Sequence, residues 1–127
     1  MCGIAGYAGG EWLNDTESVE RHLAAMADTI ISRGPDSTGC WFDVEHTVAI
    51  AHRRLAIVDL TTAGHQPMVS SSGRYVIAFN GEVYNHFDLR EQVVVRGSNQ
   101  ITWRGRSDTE SLLEGIEAWG LEETLKN

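Results

Sequence analysis

The chain opens Met1-Cys2-Gly3-Ile4-Ala5-Gly6-Tyr7, a run of small and apolar residues with a cysteine in second position. Ended by Gly9-Gly10, this run predicts a strand over residues 2–8. If an aminopeptidase removes Met1, Cys2 becomes the terminal residue and carries a thiol and a free amine together. A free α-amine titrates near roughly 7.7–8.0 and a thiol near roughly 8.5, so at neutral pH the amine is partly able to accept the thiol proton. By position alone, the favoured reading of Cys2 is a small buried residue starting a strand. The rest of the chain has to decide.

Outward from that strand, Asn14-Asp15-Thr16 forms a capping cluster, and Val19, Leu23, Met26 or Ala27, and Ile30 recur at helical spacing. The predicted amphipathic helix stops near Ser32, where Arg33-Gly34-Pro35-Asp36-Ser37-Thr38-Gly39 concentrates turn formers. Trp41-Phe42, residues 47–52 and residues 54–58 read as strands, with Asp43 to His46 as a hairpin loop. Thr61 to Ser72 reads as a polar loop. Residues 75–79 are a β-branched-rich strand halting at Asn80-Gly81-Glu82, where Asn-Gly on its own favours a hairpin turn. A helix follows from Asn85 to about Arg96, with Leu89 and Val93 on one face and Gly97 as its cap. Ser107-Asp108-Thr109-Glu110 matches a capping box ahead of Leu112, Leu113, Ile116 and Trp119. The tail from Leu121 to Asn127 looks too short to close anything. No repeat, low-complexity tract or internal domain boundary stands out.

The 127 residues carry a net charge of −8, which argues against tracking a phosphate backbone and hence against a nucleic-acid partner. Two cysteines, Cys2 and Cys40, provide no disulfide framework. No signal peptide or membrane span fits, so the expected location is cytoplasmic. His52, His65 and His86 form no ligand pattern, and no metal site is expected. Arg33 to Gly39 reads as structure rather than chemistry.

Five stretches nevertheless coincide: the Cys2 run, Arg33-Gly34-Pro35-Asp36, Arg54-Leu55-Ala56-Ile57-Val58-Asp59, Asn80-Gly81-Glu82-Val83-Tyr84-Asn85, and Ser107-Asp108-Thr109-Glu110. In that order and spacing the sequence resembles the glutaminase domain of glutamine-hydrolysing asparagine synthetases, class II amidotransferases of the N-terminal-nucleophile hydrolase group. The resemblance implies an α+β fold, part of an αββα four-layer sandwich. It implies that Cys2 is the nucleophile and that Asn80 and Gly81 form the oxyanion hole. Arg54 is expected to grip the α-carboxylate of L-glutamine, with Leu55, Ala56, Ile57 and Val58 lining the pocket. Glu82 and Asp108 are expected to face the ammonium. Arg53, beside the matched Arg54, is expected to face solvent.

Members of that group continue further, so the chain is expected to be an incomplete glutaminase domain, with a synthetase domain missing that uses ATP and magnesium. This chain needs no cofactor of its own. Alone it is expected to be poorly stable or to cover its open edges as a homo-oligomer. Two alternatives stay open: the glutaminase half of another class II amidotransferase, and a non-catalytic glutamine-binding or interaction module.

Overall fold

Val48–Arg54 (β3) is the central strand of a three-stranded antiparallel sheet, flanked by β1 (Gly3–Ala8) and β2 (Ser37–Asp43). The computed structural model describes residues 1–9, 15–96 and 101–127. The capping residue Asn14, the strand-ending Gly10 and the expected cap Gly97 lie outside them. The fold is mixed α and β, and it divides into two units whose segments interleave, which is why no boundary is legible along the chain. The first comprises Met1–Ala56, His65–Pro67 and Ala78–Gly81; the second comprises Ile57–Gly64, Met68–Ile77 and Glu82–Asn127. Among the described residues no helix is long and apolar enough to cross a membrane.

In the first unit, α1 (Thr16–Asp28) packs across one face of the sheet. Asp15 caps it, its carboxylate accepting the Glu17 N–H at 3.2 Å. The predicted apolar stripe is buried: Val19, Leu23 and Ala27 meet Ala49 and Ala51 of β3, with Tyr7 and Phe42 packed against them. Side chains alternate along a strand, so Arg53 shares the helix-covered face with Ala49 and Ala51.

That alternation overturns the expectation that Arg53 faces solvent. Arg53 is 9% exposed; its Nε donates to the Ala27 carbonyl at 3.1 Å and its Nη2 pairs with the Asp28 carboxylate. The last carbonyls of a helix lack intrahelical donors, and a cation there also suits the helix dipole. The Ala27 carbonyl also accepts the Ile30 N–H at 3.1 Å, so Arg53→Leu removes its charged second donor and the Asp28 partner, and is expected to destabilise the chain by about 1–3 kcal/mol, read as a shift in urea midpoint.

Three further expectations are corrected. Of the stretch read as turn, only Gly34, Pro35 and Asp36 are irregular, since Ile31–Arg33 is a short 3₁₀ turn and β2 already starts at Ser37. Ser37, Thr38 and Gly39 pair with Arg54, Arg53 and His52. Gly39 sits in the strand opposite His52 and is a glycine because the main chain of Gln66 passes over it, where a Cβ would collide with the Gln66 carbonyl. The strand predicted over residues 54–58 does not form. The Ala56 N–H instead donates to the Asp36 carboxylate at 2.8 Å, and the Leu55 N–H points to the Cys2 Sγ, so side chains rather than a partner strand satisfy this segment. The strand predicted over residues 75–79 shrinks to β5 (Val76–Ile77), paired with β4 (Met68–Val69). Ser70 shortens it at one end, donating its N–H to the Tyr75 carbonyl and accepting the Tyr75 N–H on its Oγ. Asn80-Gly81 makes no hairpin, and the next element is α2 (His86–Arg96).

In the second unit α2 packs on α3 (Asp108–Trp119), and Leu89 and Val93 of the former and Leu112 and Leu113 of the latter are buried. The expected capping box is absent. Ser107 is the N-cap residue but its side chain makes no capping bond. Glu110 accepts instead from the N–H and Nε of Arg104, the N–H of Gly105 and Nη2 of Arg90. Two guanidinium groups and two amides outcompete the single Ser107 amide for this carboxylate. The tail does pack: Leu121–Thr124 (α4) places Thr124, 3% exposed, against Gly115 of α3.

Candidate functional site

Along β3 the alternation puts His52 and Arg54 on the sheet face opposite α1, and Gly3, the first residue of β1, pairs with Arg53. Cys2 immediately precedes β1. Its Sγ lies between main-chain groups of Leu55, 3.4 Å from the N–H and 3.7 Å from the carbonyl oxygen. Its own carbonyl accepts from Arg33 Nε at 3.1 Å. The Arg54 carbonyl accepts the Asp36 N–H at 3.0 Å, so Asp36 brackets residues 54–56 with its amide at one end and its carboxylate at the other. The loop read as merely structural thus holds both sides of the thiol's surroundings. Met1 is exposed.

Asn80 and Gly81 belong to the same unit and are tethered to the same sheet face. His52 Nε2 lies 3.2 Å from the carbonyl oxygen of Phe79, and the Phe79 N–H donates to Gln66 Oε1 at 2.6 Å. A Cβ at Gly81 would stand 2.6 Å from the Phe79 ring, so that ring and the Gly81 backbone are in close contact. The first unit accordingly holds Cys2, Arg54, Leu55, Ala56, Asn80 and Gly81.

The second unit holds the other four. Ile57 and Val58 are exposed, and Glu82 is exposed as well. Asp108 opens α3 and is buried; one carboxylate oxygen accepts the Val83 N–H at 3.0 Å and the other the Thr109 N–H at 2.8 Å. Asp108 thereby fixes the residue that follows Glu82, and it also sits where a helix dipole favours an anion.

Four residues of these surroundings were not singled out as functional from sequence: Arg33, Asp36, His52 and Gln66. A buried histidine within the apolar run Val48-Ala49-Ile50-Ala51-His52 is a visible signal, whereas nothing near Gln66 marks it. Burial holds the His52 pKa below its ordinary value, against the opposing pull of the Phe79 carbonyl. The folded state therefore prefers a neutral ring, while the unfolded chain takes up a proton near about 6.5. Stability from this source is complete above that value and is lost as pH falls through the window below it. Urea midpoints measured from pH 7.5 to 5.5 are expected to fall, and to fall less in His52→Gln.

Comparison with known proteins bears on the whole chain. A family model for the glutamine amidotransferase domain matches residues 1–127. The glutamine-hydrolysing asparagine synthetase 3 of Bacillus subtilis is 37% identical over 121 residues, covering 94% of this chain and 18% of that protein. The glutamine-hydrolysing asparagine synthetase 1 of the same organism is 41% identical over 113 residues, covering 89% and 17%. Amidase chry2 of Gibberella zeae is 33% identical over 128 residues, covering 95% and 18%. The chain spans less than a fifth of the length of these relatives. With its family match running from the Met1-Cys2 start through the last residue, the chain belongs to the glutamine amidotransferase domain family.

Proposed function

We propose that this chain, once Met1 is removed, hydrolyses L-glutamine to glutamate and ammonia through a thioester on Cys2. The observation that carries the reading is the Cys2 Sγ against the main chain of Leu55, the residue after Arg54, in the same unit whose sheet tethers the Asn80-Gly81 segment through His52 and Phe79. Arg54 binds the substrate α-carboxylate with its planar fork, and Leu55, Ala56, Ile57 and Val58 line the substrate. Glu82 and Asp108 balance the ammonium. The Cys2 amine takes the thiol proton, and sulfur attacks the δ-carbonyl carbon. The Asn80 side-chain amide and the Gly81 N–H receive the charge that develops on oxygen. Each such donor is worth about 2.7–4 kcal/mol in related acyl transfers. The C–N bond breaks as the amine returns its proton to the leaving nitrogen, and water then cleaves the thioester.

In the intact protein the ammonia serves an asparagine-synthetase-type amidation, catalysed by a synthetase domain outside this chain in a reducing, cytoplasmic setting. ATP with magnesium supplies the activation of the acid there. The glutaminase portion itself is the larger αββα sandwich of which this chain is an incomplete part, and self-association covers its open edges when it is alone. Glutamate and ammonia appearing together when the Met1-free chain is incubated with glutamine is the expected result. Calorimetric binding of glutamine without any glutamate would replace the reading with a binding module.

A further inference from the structure

His52 and Gln66 have no part in the chemistry above, yet both are buried and both bind one residue. His52 is 0% exposed and Gln66 is 6% exposed. A carbonyl oxygen only accepts, so the contact with Phe79 requires the proton on His52 Nε2 and leaves Nδ1 bare. Nδ1 is buried and has no hydrogen-bond partner among the described residues. An apolar side chain at this position would avoid burying that nitrogen, so what remains to account for the histidine is what Nε2 does.

The two contacts act on consecutive peptide planes. The Phe79 N–H held by Gln66 lies in the plane joining residues 78 and 79, and the Phe79 carbonyl held by His52 lies in the plane joining residues 79 and 80. With the Phe79 ring against Gly81 as a third restraint, little freedom is left in how the chain enters Asn80.

We propose that His52 and Gln66 are positioning residues for the oxyanion site: by clamping Phe79 on both peptide planes they aim the Asn80 amide and the Gly81 N–H at the carbonyl attacked by Cys2. The inference rests on the reading of Asn80 and Gly81 as oxyanion donors. Donors that matter only when charge develops act on kcat, and their misdirection leaves substrate affinity intact.

The test uses the Met1-free chain. His52→Leu is expected to lower kcat at least about tenfold with glutamine KM changed by less than about twofold, the split that marks a transition-state contact. His52→Gln places an amide nitrogen where Nε2 stood and is expected to restore most of the rate. Gln66→Met keeps the shape, removes the acceptor, and is expected to repeat the kcat loss, which decides the matter if His52→Leu fails to fold. Amide hydrogen exchange at Phe79, whose N–H is held by Gln66, is expected to quicken in His52→Leu and Gln66→Met while Ala51 stays protected. Unchanged kcat in the leucine and methionine variants overturns the proposal, as does a folded His52→Gln that recovers nothing, or a KM that rises in step with the loss. If the unmutated chain releases no glutamate, the functional reading falls separately. Exchange at Phe79 then decides the clamp alone, and unchanged exchange rejects it.

Discussion

Cys2→Ala in the Met1-free chain is expected to lower glutamate release from glutamine by at least about 10⁴-fold, because the atom that forms the bond is gone and only oriented binding remains. The substitution removes a half-buried sulfur whose contacts are to main-chain groups of Leu55. Its effect on stability is therefore expected to be small, and circular dichroism of the variant is expected to overlay that of the parent. Cys40→Ala is the matched control. Cys40 is the second cysteine and is exposed on β2, so its loss is expected to leave the rate unchanged. Glutamine binding measured by calorimetry is expected to survive in Cys2→Ala, since Arg54 and the acidic partners are untouched. A rate that falls equally in both cysteine variants would point to general damage by thiol loss and away from nucleophilic attack.

Glu110→Ala is expected to be the most destabilising single change in the second unit, by about 3–5 kcal/mol in urea unfolding, because it leaves a buried guanidinium without its counter-charge. The Glu110 side chain is 2% exposed and that of Arg90 is 16% exposed, at 3.0 Å. Burial pulls Arg90 below its ordinary pKa and the Glu110 charge pulls it back. Arg90 also lies 3.9 Å from the centre of the Trp103 ring, so the variant is expected to change indole emission as Arg90 resettles. Glu110→Gln keeps an acceptor for the Arg104 and Gly105 amides and is expected to lose less. Equal loss in both variants would assign the effect to shape instead of charge.

Sequence pattern reads well where one physical rule dominates. The spacing of Val19, Leu23 and Ala27 anticipates the buried face of α1, and Leu89 with Val93 anticipates that of α2, because a 3.6-residue period needs only local information. It reads poorly where a side chain replaces a ladder partner. The Ala56 amide is satisfied by Asp36 and the Leu55 amide faces Cys2, so the apolar run after Arg54 looks like a strand and is not one. The capping box failed for the same reason, since nothing local to Ser107 announces that Arg90 and Arg104 will claim Glu110. Arg53 and Arg54 are adjacent and chemically equal; only the pleat of β3, fixed by which residues α1 covers, sends one to the helix end and the other to the opposite face. Cys2, Arg54, Asn80, Gly81, Glu82 and Asp108 were named as candidates through motif resemblance, whereas Gln66 was not. Its hydrogen bond to Phe79 spans thirteen residues and joins segments with no shared pattern.

The direct measurement is mass spectrometry of the Met1-free chain, acid-quenched within seconds of mixing with glutamine and then digested. The account predicts a γ-glutamyl group attached to the sulfur of residue 2, absent in Cys2→Ala and absent from Cys40. Glutamate formed while the residue 2 sulfur stays unmodified at every quench time would contradict it.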